Sequence, residues 1–340
     1  MKQHDSGGAG LQTRDRLPAG LTDADLLRMY EWMVLARSLD ERMWLLNRGG
    51  QAAFVISGQG HEAAQVALAS ALQVGKDVLV PYYRDLGMAL VFGLTPRDLM
   101  LSLLGKKGDP TSQGRQMPGH FSSRRLNIIT GSSPVATQVL HGAGVALAAK
   151  LRGEDTVAMT CVGEGGTSEG DFHEALNFAS IHHLPVIFVV ENNGYAISVP
   201  QRKEMAVASV AERAAGYAMP GVTVDGLDPI ATYVVAREAV DRARSGGGPT
   251  LIEAKVHRLT PHSSDDDDRT YRPAAELQEE RAHDPIPMFR ARLMELGVLS
   301  EQQEKEIRDR VKAQINDATE FAEQAPYPDP SELMLHVYGA

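Results

Sequence analysis

The stretch from residue 161 to residue 198 constrains the fold of this chain more than any other. It reads CVGEGGTSEGDFHEALNFASIHHLPVIFVVENNGYAIS. An apolar run over 156–162 ends in Gly-Glu-Gly, a helical stretch follows, and a second apolar run over 185–190 ends in Glu-Asn-Asn-Gly-Tyr. Strand, helix and strand in so short a segment predict a βαβ unit. Polar residues follow both strands, at the edge where open parallel sheets bind ligands.

The residues that follow the two strands predict a site for Mg²⁺ and a diphosphate. Glu164 offers a carboxylate and Asn193 an amide oxygen, and Mg²⁺ binds a few protein oxygens while phosphate and water complete its shell. The glycines on either side of Glu164 let the backbone turn sharply and approach a ligand closely. Ser168 and Asp171 match a capping box, which predicts that the helix begins there and directs N–H groups toward an anion.

A simpler interpretation of this segment is a βαβ unit with an acidic loop and an Asn-Asn-Gly turn, and the residues alone leave it open. A nicotinamide-binding site is disfavoured, because residues 163–168 lack the third glycine of G-x-G-x-x-G. The chain also contains no G-x-x-x-x-G-K-[ST] phosphate loop.

The composition narrows the class of protein. The chain has 340 residues and a formal net charge of −10, which suits a large α/β core and argues against binding nucleic acid. Its one cysteine, Cys161, lies in an apolar run, so a disulfide framework is excluded and a reducing compartment fits. The sequence lacks a run of the roughly 18 apolar residues that a membrane span needs, and its N-terminus lacks a signal pattern. These features predict a cytoplasmic protein without a membrane segment.

Helical and strand patterns alternate along the chain. This predicts an α/β fold with a mainly parallel, doubly wound sheet and helices on both faces. The expected divisions are a flexible arm over 1–20, an α/β domain over 21–273 that includes an active-site loop over 258–272, and a helical extension over 274–340.

A second group of polar residues follows the short apolar run over 77–80. Tyr82, Tyr83 and Arg84 lie just past this predicted strand, and a guanidinium binds phosphate through two parallel hydrogen bonds. The alternative is a surface turn in which Arg84 pairs with Asp85.

Two histidines are further candidates. His61 and Glu62 begin an alanine-rich helix, where polar residues serve either in catalysis or as caps. His262 stands near the start of a polar segment with four consecutive aspartates. An acidic run is typical of a solvated loop, and a lone histidine is more often structural than catalytic.

Taken together, these stretches resemble the alpha subunit of the thiamine diphosphate-dependent decarboxylase component of 2-oxo acid dehydrogenase complexes. The resemblance covers nearly the whole chain from about residue 21 onward. Its motifs are Tyr82-Tyr83-Arg84-Asp85, Gly114-Arg115-Gln116-Met117-Pro118, Ser133-Pro134, the 163–193 unit, and His262-Ser263-Ser264 with Tyr271-Arg272. Three of its segments favour the branched-chain (2-oxoisovalerate) type over pyruvate enzymes: Gln116-Met117-Pro118, residues 193–198, and the 262–272 loop.

The resemblance implies the roles of individual residues. It implies Mg²⁺ ligands at Glu164, Asn193 and the backbone carbonyl of Tyr195. It implies that the cofactor contacts Tyr82, Arg84, Ser133, Val135, Glu164, Gly165, Gly166, Asn193 and His262. The implied acyl pocket consists of Phe54, Tyr83, Met117 and His120, and the implied catalytic residues are His262, Tyr83 and His120.

The resemblance also suggests a potassium site in a turn that some members share, formed here by Ser132, Pro134, Thr137 and Gln138. The alternative for this turn is a helix N-terminus satisfied by serine and threonine side chains. Both interpretations remain open at the level of sequence.

Three positions depart from the family pattern or carry a family role. Glu164 replaces the more common aspartate, which lengthens the metal ligand by one methylene and keeps its charge. Glu191 stands where some relatives place a phosphate-binding arginine, so we expect one positive charge on the diphosphate to be missing. Ser263 occupies a position that a kinase modifies in animal enzymes, and here we interpret it as a loop serine.

The activity that the resemblance implies is oxidative decarboxylation of 3-methyl-2-oxobutanoate-type substrates with thiamine diphosphate and Mg²⁺. The acyl group would pass to the lipoyl group of a dihydrolipoamide acyltransferase. A separate beta subunit would supply the glutamate that activates the cofactor, in an α2β2 assembly. The alternatives are a pyruvate or acetoin dehydrogenase alpha subunit and a non-enzymatic relative that retains the fold.

Overall fold

The computed structural model describes residues 20–335 and residue 337. Residues 1–19 of the predicted flexible arm lie outside the described residues. The helices are α1 (Asp23–Arg48), α2 (Glu62–Ser70), α3 (Leu86–Val91), α4 (Pro96–Leu103), α5 (Thr137–Arg152), α6 (Gly170–Ile181), α7 (Pro229–Arg244), α8 (Ala274–Ala282), α9 (Pro285–Glu295) and α10 (Glu301–Gln324). The strands are β1 (Val78–Val80), β2 (Ala158–Gly163), β3 (Val186–Asn192), β4 (Tyr195–Ala196), β5 (Val199–Pro200), β6 (Gly221–Asp225) and β7 (Thr250–Lys255).

Five strands form one parallel sheet in the order β1-β2-β3-β7-β6. In its register Thr160 of β2 lies beside Phe188 of β3, and Phe188 lies beside Leu251 of β7. The predicted βαβ unit is therefore confirmed as β2-α6-β3. Since parallel strands end at a common edge, the residues that follow β1, β2 and β3 come together there.

The sheet is covered on both faces because its strands alternate between two apolar clusters. Met159 and Cys161 of β2 pack into one cluster, together with buried residues of α1, α2, α7, α9 and α10. Ala158 and Val162 of the same strand pack into the other cluster, against α5 and α6. Strands buried on both faces read as continuous apolar runs, as these do. The predicted α/β fold, a mainly parallel sheet with helices on both faces, is confirmed.

Local capping sets where α1 and α4 begin. The Thr22 hydroxyl accepts a hydrogen bond from the Asp25 N–H at 3.2 Å, and Asp25 reaches back to the Thr22 N–H at 3.0 Å. Thr95 and Asp98 form the same reciprocal pair before α4, with Pro96 in the first turn. Each box satisfies N–H groups that a helix start would otherwise leave unpaired.

The predicted capping box at Ser168 and Asp171 is wrong. Residues 164–168 form one turn of 3₁₀ helix, and α6 begins at Gly170 after Glu169, whose side chain makes no capping bond. Asp171 accepts a hydrogen bond from Thr137 of α5 at 2.9 Å instead. A tertiary contact between two helices has therefore replaced the expected local one.

The C-terminal helices pack against the N-terminal helix. One face of α10 buries Ile307, Val311 and Ile315, and this face meets α1. Its other face carries charged side chains, as in Lys305 and Asp309, which pair at 2.7 Å. Within the part of the chain that the structure describes, no helix combines the length and the apolar character needed to span a bilayer.

Candidate thiamine diphosphate site

A cavity of about 460 Å³ lies at the edge of the sheet where β1, β2 and β3 end. Sixteen of the eighteen residues predicted for the site line it, and the two that do not are Pro134 and Thr137. The predicted residues at the cavity are Phe54, Tyr82, Tyr83, Arg84, Met117, His120, Ser132, Ser133, Val135, Gln138, Glu164, Gly165, Gly166, Asn193, Tyr195 and His262. The fold thus brings together side chains from seven separate stretches of sequence.

The two proposed metal ligands face each other across the ends of β2 and β3. Glu164 is almost completely buried, and its Oε2 accepts a hydrogen bond from the backbone N–H of Asn193 at 3.2 Å. The other carboxylate oxygen, Oε1, is buried without a hydrogen-bond partner among the described residues. Within the described part of the chain, the amide oxygen of Asn193 accepts only the Tyr195 N–H, at 3.2 Å. Unpaired buried oxygen is costly unless a ligand satisfies it, so this donor set fits a hard cation such as Mg²⁺.

Burial controls the charge of Glu164. Removal from water and the nearby Glu204 raise the pKa of Glu164 to about 7, although N–H groups of the backbone partly oppose the rise. A cation in the cavity would favour the ionised carboxylate and expel its proton.

Gly165 and Gly166 are required by close approach rather than by backbone conformation. A Cβ on Gly166 would lie 2.4 Å from the Val162 side chain, and a Cβ on Gly165 would lie 2.6 Å from Ala196. Val162 and Ala196 also line the cavity, so no side chain fits at either glycine and the backbone itself forms this part of the wall. Together with the unpaired oxygen of Glu164, this cradle fits a diphosphate and its metal ion.

Arg84 is the buried cation of the site. Its Nη1 donates to the backbone carbonyl of Ser57 at 2.5 Å, and its Nη2 lies 3.3 Å from Nδ1 of His262. The alternative of a surface turn with an Arg84–Asp85 pair is wrong, because both side chains are buried and Asp85 accepts the Tyr82 N–H at 2.9 Å instead. Arg84 is thus placed to meet an anion away from bulk water.

Tyr82 and Tyr83 play different parts in the site. The Tyr82 hydroxyl donates to Glu191 at 3.2 Å, so its proton is directed away from a ligand. The Tyr83 ring meets the His262 ring edge-on, with ring centroids 6.0 Å apart.

The loop over 258–272 holds His262 in a defined position. Asp266 accepts the backbone N–H of His262 at 2.8 Å and the Tyr271 hydroxyl at 2.5 Å. Asp268 is buried whereas Asp265 and Asp267 are exposed, so the acidic run is a solvated loop only in part. Burial, with Arg84 and Arg258 nearby, lowers the pKa of His262 to about 4. His262 is therefore neutral at neutral pH.

His120 closes the apolar side of the cavity. Its Nδ1 lies 2.8 Å from the carbonyl of Met117, which can only accept, so Nδ1 carries the proton. Its Nε2 then accepts from the Ser133 hydroxyl at 2.7 Å. The remaining lone pairs of Ser133 are left to accept a hydrogen bond from a ligand amine.

The turn before α5 has an unusual conformation. Ala136 precedes the helix with φ 70° and its side chain supplies no cap. Gln138 donates to the Cys161 carbonyl at 2.9 Å, while its Oε1 is buried without a partner in the described part of the chain. Thr137 donates its hydroxyl to Asp171 rather than to the helix end. The alternative of a helix N-terminus satisfied by serine and threonine side chains is therefore wrong.

Glu191 and His61, which was a candidate for catalysis, form a buried network beside the cavity. Glu191 does not line the cavity. Its Oε2 accepts hydrogen bonds from His61 at 2.6 Å, Gln65 at 3.0 Å and Tyr82. Burial alone would raise the pKa of Glu191, but the hydrogen bonds that it accepts from His61 and Gln65 lower it. The carboxylate of Glu191 is thus kept out of the cavity.

The residues before α2 are neither catalytic groups in the cavity nor side-chain caps as expected. His61 precedes α2 without a capping bond. Glu62 pairs with Arg37 at 2.6 Å and accepts the Gly60 N–H at 2.7 Å. A signal in the sequence was the spacing of His61 and Gln65, which places both on one face of the helix. Sequence reasoning also omitted some lining residues, namely Ile56, Pro118, Val162, Gly163, Glu169, Ala196 and Ile197.

Comparison with known proteins agrees with this geometry. The family described as "Dehydrogenase E1 component" matches residues 30–331. The chain is 52% identical over 328 residues to the 2-oxoisovalerate dehydrogenase subunit alpha of Bacillus subtilis, covering 96% of this chain and 99% of the relative. It is 39% identical to the 3-methyl-2-oxobutanoate dehydrogenase subunit alpha of Mycobacterium tuberculosis, over 94% of this chain and 84% of the relative. It is 38% identical to the pyruvate dehydrogenase E1 component subunit alpha of Staphylococcus aureus, over 97% and 86%. The chain belongs to the dehydrogenase E1 component family, as the sequence motifs had indicated.

Proposed function

We propose that this chain is the alpha subunit of a branched-chain 2-oxo acid dehydrogenase, which oxidatively decarboxylates 3-methyl-2-oxobutanoate. The observation that carries the proposal is the unpaired Oε1 of Glu164, buried beside the Asn193 carboxamide in a cavity with an apolar side. The 52% identity to a 2-oxoisovalerate dehydrogenase alpha subunit supports the branched-chain substrate over pyruvate.

The cofactor in this proposal is thiamine diphosphate with Mg²⁺. When bound, it supplies the nucleophilic carbon and the electron sink for decarboxylation. Glu164, Asn193 and the Tyr195 carbonyl would hold the ion, and Arg84 with His262 would hold the diphosphate. Ser133, as an acceptor, would orient the amine of the cofactor's ring. The unpaired Oε1 of Glu164 supports its role, the contact of Ser133 with His120 supports the role of Ser133, and the other roles come from the family resemblance.

The substrate side of the cavity suits a short branched chain. Phe54, Ile56, Tyr83 and Met117 supply apolar and aromatic surface there, and His120 lies at its edge. An apolar pocket with a few placed polar groups is typical of sites for small ligands. Pyruvate or acetoin would leave part of this surface unfilled.

The proposal includes two protein partners. Met117 is 51% and Val135 49% exposed, so the cavity is open at these residues, which suits coverage by a beta subunit in an α2β2 assembly. The second partner is a lipoyl-bearing dihydrolipoamide acyltransferase that receives the acyl group. The proposed location is the cytoplasm, since the buried Cys161 is the only cysteine in the sequence.

The proposal is tested by co-expressing the chain with a beta subunit from the same source and measuring CO₂ release from a panel of 2-oxo acids. We expect release that depends on thiamine diphosphate and Mg²⁺, with 3-methyl-2-oxobutanoate preferred over pyruvate. A preference for pyruvate or acetoin would contradict the substrate assignment. Absence of cofactor-dependent release from every acid would contradict the proposed enzyme.

A potassium ion beside α5 is a further part of the proposal. The unpaired Oε1 of Gln138 is an acceptor that such a cation would satisfy. We expect KCl to raise the thermal midpoint of the wild-type protein relative to NaCl at equal ionic strength, because only the better-fitting ion stabilises the turn. In Gln138→Met this difference should disappear. Equal midpoints of the wild type in both salts would rule the ion out.

A further inference from the structure

His61 lies between the buried carboxylate and the proposed metal ligand. Its side chain is fully buried, with Nδ1 2.6 Å from Glu191 Oε2 and Nε2 3.3 Å from Nδ2 of Asn193. His61 and Asn193 are 132 positions apart, so the contact is purely tertiary. His61 lies at the Nδ2 end of the Asn193 carboxamide, whereas the Tyr195 N–H lies at the Oδ1 end.

A series of hydrogen bonds runs from Gln65 through Glu191 and His61 to Asn193. The direction of each bond follows from the atoms that can only accept. Glu191 Oε2 receives the Tyr82 hydroxyl and the Gln65 amide as well as His61, and a carboxylate oxygen can only accept. His61 therefore carries its proton on Nδ1. A neutral imidazole with one N–H has an acceptor at the other nitrogen, so Nε2 accepts from the NH₂ group of Asn193.

The orientation of the Gln65 amide, at the end of the series farthest from Asn193, is fixed as well. Gln65 accepts the Gly87 N–H at 3.0 Å through Oε1, which turns its NH₂ group toward Glu191 and the Arg84 carbonyl. If the Gln65 amide were reversed, its oxygen would face two acceptors, the Glu191 carboxylate and the Arg84 carbonyl, and its NH₂ group would face the Gly87 N–H, which is a donor. The backbone of Gly87 and Arg84 thus fixes the Gln65 amide as a donor to Glu191.

We propose that His61, held by Glu191, is a positioning residue that orients the Asn193 carboxamide so that Oδ1 faces the metal ion. The inference rests on the proposed function, since it assigns a role toward Mg²⁺ at that same site. The Asn193 carboxamide carries an oxygen, which binds a cation, and an NH₂ group, which repels one. His61 accepts from the repelling end and the Tyr195 N–H donates to the binding end, so the two contacts select one rotamer. Outer contacts of this kind orient metal ligands in many sites.

Two substitutions at one position separate orientation from packing. The amide of His61→Asn reaches the place of Nδ1 and can donate to Glu191, but leaves Asn193 without its acceptor. The longer His61→Gln can place an oxygen near Nε2 and restore that acceptor. The experiment uses each full chain co-expressed with its beta subunit, with thiamine diphosphate present. Mn²⁺ replaces Mg²⁺ as the probe because both prefer oxygen ligands, and the EPR signal of free Mn²⁺ gives its dissociation constant.

We expect His61→Asn to weaken Mn²⁺ binding by about tenfold or more and His61→Gln by less than about threefold, since loss of an outer-shell partner costs about 10- to 100-fold in affinity. The thermal midpoint of each metal-free variant reports packing separately. Equal Mn²⁺ affinities for the two variants would overturn the positioning role while leaving the proposed function intact. A wild type that binds no Mn²⁺ with the cofactor would overturn both.

A second pair of variants covers the case in which His61→Asn does not fold. Glu191→Gln can keep an oxygen acceptor toward His61 Nδ1, whereas Glu191→Met removes it. We expect Mn²⁺ affinity to fall in Glu191→Met and to be retained in Glu191→Gln. The same affinity in both would count against His61 as the group that orients Asn193.

Discussion

Replacing Glu164 with glutamine is expected to weaken Mg²⁺-dependent binding of thiamine diphosphate and to stabilise the metal-free protein. Loss of the carboxylate removes a charged ligand, so affinity should fall by at least about tenfold, the lower end of what outer-shell changes cost. Isothermal titration calorimetry of the cofactor at several Mg²⁺ concentrations measures this. An unchanged Mg²⁺ dependence would contradict the metal assignment.

The gain in stability follows from the buried carboxyl group. The pKa of Glu164 rises from 4.5 to about 7 on folding, chiefly through burial. The metal-free fold therefore favours the protonated form, so its stability is full below pH 4.5 and declines as pH rises through 7. Glutamine is neutral throughout. At pH 8 the variant should be more stable by up to about 3 kcal/mol, at about 1.4 kcal/mol per pKa unit, and most of the difference should vanish by pH 5.

Denaturant unfolding of the metal-free proteins at pH 5 and pH 8 checks this. Glu174→Gln is a matched control, because Glu174 is exposed on α6 and away from the cavity, and it should change neither property. A Glu164→Gln protein that loses stability equally at both pH values would show that burial is not the cause. With this result, Glu164 would be a metal ligand that lowers the stability of the metal-free protein.

The parts of the site that the sequence predicts are those carried by short patterns at strand ends. Glu164 and Asn193 each follow an apolar run directly, so the parallel topology alone brings them together. Tyr82 to Arg84 follow β1 in the same way. Their residue types then indicate a cation and a phosphate group. Individual roles came from the family resemblance, because no local pattern shows what Ser133 or His120 contacts.

The parts that sequence reasoning missed depend on partners far along the chain. Glu191 lies near the end of the apolar strand β3, and nothing near it in sequence reveals that His61, 130 positions earlier, donates a hydrogen bond to it. Asp171 matched a local capping box, but Thr137 of the neighbouring helix holds it instead. A polar residue in a buried strand does indicate that a hydrogen-bond partner exists. The fold decides which one.

The catalytic role that the resemblance implies for His262 can be narrowed to hydrogen-bond donation. Arg84 can only donate, so its contact at 3.3 Å makes Nδ1 of His262 the acceptor. The pKa of His262 is lowered to about 4 by burial and by Arg84 and Arg258, so the ring is neutral and its proton lies on Nε2. That nitrogen can donate to an oxyanion but cannot accept a proton.

His262→Ala is therefore expected to retain most of its cofactor affinity and to lose about 10²- to 10³-fold in acylation of a lipoyl domain, the usual cost of removing one oxyanion donor. Arg84 and the Glu164 side of the cavity remain to bind the diphosphate and metal. His262→Gln, which can extend an N–H group toward the place of Nε2, should recover part of the rate, whereas His262→Asn should not. Stopped-flow assays that separate decarboxylation, with an artificial oxidant, from acyl transfer locate the affected step. A normal acylation rate in His262→Ala would refute the role, and equal rates in the glutamine and asparagine variants would refute donation from Nε2.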